Sequence, residues 1–239
     1  MLLVLLVAVV MITAGGFATA SNTGFKINKS LPVAGAGQIG NTWISLPYFN
    51  PYPTWAAFCS ATGLVSTGLG GRATIQFQDP QNVGAFTTPV QCGTAAAGTT
   101  PLNPPVVNGV AYPGLGFQVR NGGAGAPTSI IIVGSHNPTL SFTVYPGAPA
   151  SQKGSNWFAV PYHTTAVTAN DLCLSSGLTS TGLQKASILR FDAVTGGVVG
   201  PVICGSSAAQ SLVLQLGEAV RMREATTVTT PKSFIPAHF

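Results

Sequence analysis

Trp43-Ile44-Ser45-Leu46-Pro47-Tyr48, followed by Cys59, returns as Trp157-Phe158-Ala159-Val160-Pro161-Tyr162 followed by Cys173, with Trp, Pro, Tyr and Cys each displaced by 114 positions. The likeness runs on through Gly63-Leu64 and Gly177-Leu178, then Ser66-Thr67-Gly68-Leu69 and Ser180-Thr181-Gly182-Leu183. After a two-residue gap it resumes at Pro89 and Pro201, and at Cys92-Gly93 and Cys204-Gly205. Self-similarity of this length is what copying and fusing one folding unit leaves behind. The chain therefore reads as two tandem homologous modules, 21–137 and 138–239.

Each module opens on an alternating segment, Gly24-Phe25-Lys26-Ile27-Asn28 in the first and Leu140 to Tyr145 in the second, and a Gly/Pro/Ala linker leads from it to the Trp strand. Short strands at Ala73 to Phe77 and Ser187 to Phe191, then at Ala85 to Cys92 and Val198 to Cys204, follow from β-branched runs bounded by turn residues. Leu212 to Arg223 reads as a hairpin. One short helix per module is expected: Thr168 or Asn170 can cap it in the second, with Leu172 and Cys173 inward and Gly177 at its end, and Thr54 to Gly63 takes its place in the first. No amphipathic helix of ten or more residues follows residue 20, which argues against a doubly wound α/β fold. The expected class is mainly β, two modules of sandwich or partly open barrel type.

Residues 1–14 are almost wholly apolar, Gly15-Gly16 break the run, and Ala18-Thr19-Ala20 supplies the small residues that a signal peptidase reads. The expectation is a signal peptide over 1–20 and a secreted or cell-surface protein, with no membrane segment after cleavage. A retained anchor is the alternative, because no Lys or Arg precedes the run. Four cysteines at equivalent places in the two copies point to one disulfide per module, Cys59 with Cys92 and Cys173 with Cys204. Zinc binding is set aside, since no C-x-x-C spacing or neighbouring histidines accompany them.

Charged residues are 6% of the chain, against roughly 25% in ordinary soluble domains. The net charge of +5 comes from ten scattered Lys and Arg and only five acids. Nucleic-acid binding wants clustered cations beside stacking aromatics, so it is not expected. A neutral hydroxyl and amide surface instead lets copies approach with little repulsion.

Exposed rings at Trp43 and Trp157 would stack on sugar faces, but aromatic residues retained in both copies at strand starts are expected first as core anchors packed on the disulfides. Tyr52 and Trp55 have no second-copy counterparts and lie in a Pro-rich loop, which makes them the candidates for stacking on a surface polysaccharide. His136, His163 and His238 read as structural or surface residues, and the first module owns a single acid, Asp79, so no hydrolytic constellation is expected. Gly114-Leu115-Gly116 and Gly122-Gly123-Ala124-Gly125 do not lead into helices and are read as turns, not phosphate loops. No metal or cofactor is expected. The functional expectation is a secreted, non-enzymatic structural protein that self-associates into an extracellular filament, surface layer or matrix. Donation of the leading strand to a neighbouring copy, with Phe25 and Ile27 filling alternate pockets, is one route. The alternative is a carbohydrate- or cell-surface-binding module.

Overall fold

A computed structural model describes residues 24–32, 40–47, 49–64, 71–82, 85–122, 129–135, 137, 139–146, 154, 156–160, 164–181, 185–192 and 197–236. The expected signal segment, Tyr48, Tyr162, the three histidines and the side chain of Phe25 lie outside the described residues.

In chain order the elements are β1 (Phe25–Ser30), β2 (Asn41–Ile44), α1 (Trp55–Thr62), β3 (Thr74–Gln76), β4 (Val90–Gln91), α2 (Ala95–Thr99), β5 (Val106–Val107), β6 (Val110–Ala111), β7 (Phe117–Arg120) and β8 (Ser129–Gly134). They continue with β9 (Phe142–Val144), β10 (Asn156–Ala159), α3 (Ala169–Ser175), β11 (Ser187–Phe191), β12 (Val198–Ile203), α4 (Ser207–Ser211), β13 (Ala219–Arg223) and β14 (Lys232–Phe234). The fold is mainly β. Two four-stranded sheets have the orders β2-β7-β3-β4 and β10-β13-β11-β12, and β1-β8, β9-β14 and β5-β6 form separate ribbons. All named pairings are antiparallel.

The helices begin where a hydroxyl can accept an orphan amide. Thr54 Oγ1 accepts from Ala57 at 3.3 Å in α1. In α3, Thr168 and Asp171 form a reciprocal capping box, which satisfies two amides at once. Gly63 and Gly177 follow the two helices with φ of 69° and 65°, the left-handed conformation that glycine adopts without a Cβ penalty. Two further helices, α2 and α4, appear beyond the one per half expected from sequence. Each follows a Cys-Gly turn and is capped by a hydroxyl, Thr94 or Ser206.

Cys59 in α1 is bonded to Cys92 just after β4, and Cys173 in α3 to Cys204 just after β12. The pairing is the one read from the sequence. Two large apolar clusters surround these bridges. One is aromatic-rich, with Tyr52, Trp55, Phe58, Phe77 and Phe117, and the other gathers Phe142, Phe158, Leu172, Ile188 and Met222. A third, small cluster of Trp43, Trp157, Leu189 and Ala219 lies between them.

Candidate functional site

The third cluster is the joint between the two halves. Trp43 and Trp157 stack on each other with ring centroids 3.6 Å apart and planes 8° from parallel. This corrects the expectation that they pack on the disulfides: alternation sends each ring to the sheet face opposite its own core, where it meets the other Trp, with Leu189, Phe191 and, for Trp43, Phe86 alongside. Around the stack, short bridges link the sheets reciprocally. Ile44 pairs with Glu218 and Leu115 with Phe158. Ser45 donates its amide to Gly217 at 3.3 Å, and Ala159 donates to Gly114 at 2.9 Å. Trp157 Nε1 also donates to Gln78 Oε1 at 2.6 Å.

Strand register defines which positions correspond across this joint. Ile44 faces Phe117 and Phe158 faces Val220, so two residues upstream Leu115 corresponds to Glu218. Asp79 donates its amide to Ala85 as Asp192 does to Gly197, so two residues upstream Phe77 corresponds to Arg190. Ile27 faces Ile132 and Phe142 faces Phe234; two residues on, Lys29 corresponds to Val144.

Lys29, Arg190 and Glu218 line one cleft of about 510 Å³, walled by β1 and β2 from one half and by the end of β11 and residues 215–218 from the other. The corresponding place across the joint, lined by Tyr112, Leu115, Phe142 and Tyr145, holds only about 50 Å³. Glu218 is buried, and both carboxylate oxygens are engaged: Oε1 accepts from the Gln215 amide at 2.6 Å and Oε2 from Arg190 Nε at 2.8 Å. Burial raises its carboxyl above the usual range, against the opposing pull of the Gln215 amide, Arg190 and Lys29. Burial likewise lowers the Lys29 ammonium; Glu218 opposes that shift and Arg190 adds to it. Thr42, 1% exposed and also in the cleft wall, has a hydroxyl with no hydrogen-bond partner among the described residues. Asn28, Ser30, Asp192 and Gln215 complete the polar lining.

The aromatic residues expected to bind ligand are elsewhere. Tyr52 is 3% and Trp55 0% exposed. Trp55 is the first residue of α1 and stacks on Phe58 at 5.5 Å, and Tyr52 meets Phe58 edge-on at 5.0 Å while its hydroxyl accepts the Val133 amide. The Pro-rich loop folds onto the core, so neither ring offers a face to a sugar. Ile27 lies in β1, half-buried, and the whole of Phe25–Ser30 pairs with Ser129–Gly134 of the same chain.

Two further surfaces stand out. β12 is the outer strand of its sheet, carries no charge, and exposes Val198 by 58% and Ile203 by 42%. The outer face of β8 exposes Ile131 and Val133. Among the described residues no group of three or more His, Cys, Asp or Glu could hold a metal ion, and no helix is long and apolar enough to cross a membrane. The two disulfides suit an oxidising, extracellular environment. Comparison of the chain with family models, with curated proteins and with solved structures finds no match.

Proposed function

We propose that this chain is a secreted, non-enzymatic structural subunit built of two homologous β modules, and that copies associate through their sheet edges into an extracellular filament, layer or matrix. The observation that carries this reading is β12: an uncharged, apolar outer strand whose side chains are mostly exposed. Natural sheets guard such edges with Lys, Pro or coverage, because unpaired main-chain groups recruit other strands. Here Pro201 and the register shift opposite Ile188 and Arg190 interrupt the edge, leaving Val198-Val199 and Val202-Ile203 as short pairing segments on either side. Donation of β1 remains a second route of assembly. It requires β1 to leave its own β8 and add to a neighbour's, an exchange of identical elements between copies. The sparse charge lowers the electrostatic cost of either contact. The acids also support a non-catalytic reading, since Asp79, Asp171, Glu218 and Glu224 all bind backbone amides.

Electron microscopy and sedimentation of the purified, oxidised protein test this. Ordered assemblies are expected for the unmodified chain, and their loss in Val198→Lys/Ile203→Lys. A chain lacking residues 21–30 separates the two routes, as it fails to polymerise only under strand donation. An unmodified protein that stays monomeric at every concentration overturns the proposal. The second reading, recognition of a surface polysaccharide, draws on the polar cleft at the joint, not on Tyr52 or Trp55.

A further inference from the structure

We propose that the cleft at the joint binds a carboxylate-bearing sugar, with Lys29 and Arg190 as the anion-recognising pair. This deepens the polysaccharide reading and is independent of assembly. The chain has only fifteen charged residues, yet Lys29, Arg190, Asp192 and Glu218 line this one cleft. Lys29 projects from the inward-facing series of β1, in register with buried Ile130, at the position that corresponds to core residue Val144. A lysine there pays a desolvation cost that an apolar side chain avoids, and Arg190 close by adds like-charge repulsion.

The hydrogen-bonding capacity left over is mainly that of donors. Glu218 has both oxygens engaged, whereas the Lys29 ammonium and the Arg190 Nη groups have no hydrogen-bond partner among the described residues. An acceptor-rich anion answers both the unused donors and the repulsion. A guanidinium edge is planar and matches a carboxylate. A hydroxylated body fits well, since the amide of Asn28 and the hydroxyl of Ser30, both on exposed residues, lie in the wall. The volume of about 510 Å³ lies within the roughly 300–1,000 Å³ of small-molecule sites, which favour domain interfaces such as this one.

The test is titration of the intact, oxidised protein with glucuronate and, separately, with glucose, followed by heteronuclear NMR. The two sugars differ in the carboxylate. Glucuronate should saturate shifts at residues of the cleft and bind more weakly as salt is added, while glucose at the same concentration should not saturate. Lys29→Met should weaken glucuronate by about tenfold or more, as loss of a close charge partner does, with thermal stability retained or raised. Asp192→Asn should strengthen it by removing a competing carboxylate. Equal binding of both sugars, binding of neither, or unchanged affinity in Lys29→Met overturns the proposal.

Discussion

On one side of the Trp43/Trp157 stack stand Lys29, Arg190 and Glu218 around an open cleft; at the corresponding places on the other side stand Val144, Phe77 and Leu115, and the space is filled. The backbone framework is alike on both sides, down to reciprocal bridges at Ile44/Glu218 and Leu115/Phe158. What differs is a handful of side chains. Thr42 keeps an unpartnered hydroxyl on the open side, while Asn156, its counterpart 114 residues on, is fully used: its Oδ1 accepts the Tyr145 amide at 2.8 Å and its Nδ2 donates to Tyr145 and Met222 carbonyls. Replacing an apolar trio by buried charges costs stability, because desolvation is only partly offset by ion pairing. The raised Glu218 carboxyl and lowered Lys29 ammonium carry that cost. The proposed anion-binding role of the cleft accounts for stability given up at one of two matching positions.

The largest expected effect is at the stack itself. Trp157→Ala should cost about 3–5 kcal/mol, the usual range for emptying a buried aromatic site, read as a lower midpoint in urea. Trp43→Ala should cost less, because Trp157 alone of the two is shown bonding Gln78, and its removal leaves that buried amide oxygen without its donor. Equal losses would mean that the two sides of the joint are energetically alike despite their different chemistry.

A smaller effect is expected at the closest backbone approach. A Cβ placed on Gly116 would fall on that of Ala219, so Gly116→Ala should cost about 1–3 kcal/mol by overpacking. The double variant Gly116→Ala/Ala219→Gly moves the methyl group across the joint and should regain most of the loss. Failure of the swap to restore the midpoint would show that the two positions are not interchangeable.

The smallest effect concerns the other ion pair of the second half. Burial works against ionisation of Glu224, but Lys232 at 2.9 Å and the amides of Ala225 and Thr179 outweigh it and hold the carboxyl below its usual range. A folded-state value below the unfolded one stabilises the protein above the unfolded value, and the contribution fades as pH falls through the folded value. Glu218 runs the other way: its raised value makes ionisation a cost at neutral pH that is relieved as pH falls. Glu224→Gln should therefore lower the melting temperature at neutral pH and converge with the parent in strong acid. A deficit that stays constant with pH would assign the loss to packing alone.

Much of the framework was legible in the residues. The cysteine pairing followed from equivalent placement in two copies, and the helix starts from Thr54 and from the Thr168/Asn170 pair, of which Thr168 is the cap. The alternation around Trp43 and Trp157 gave the strands but not what their outward faces meet, because the partner lies 114 residues away and no local pattern encodes it. Tyr52 and Trp55 misled because prolines suggest a surface loop; the spacing of Trp55, Phe58 and Cys59 is that of one inward helical face, and it was the better signal. α2 and α4 span five residues each, too few for a periodic pattern. The cleft was hidden because Lys29, Arg190 and Glu218 are distant in sequence, though Lys29 continues the series of Phe25 and Ile27 and so breaks an apolar face.

Calorimetry of the intact, oxidised chain tests most directly the claim that these halves are completed by one another. The free edge of β2 is bridged by residues 217–218 and that of β10 by residues 114–116, so neither half keeps its edge pairing when the other unfolds. One cooperative transition is expected, with calorimetric and van't Hoff enthalpies in agreement. Two resolved transitions, each with the enthalpy of half the chain, would contradict it.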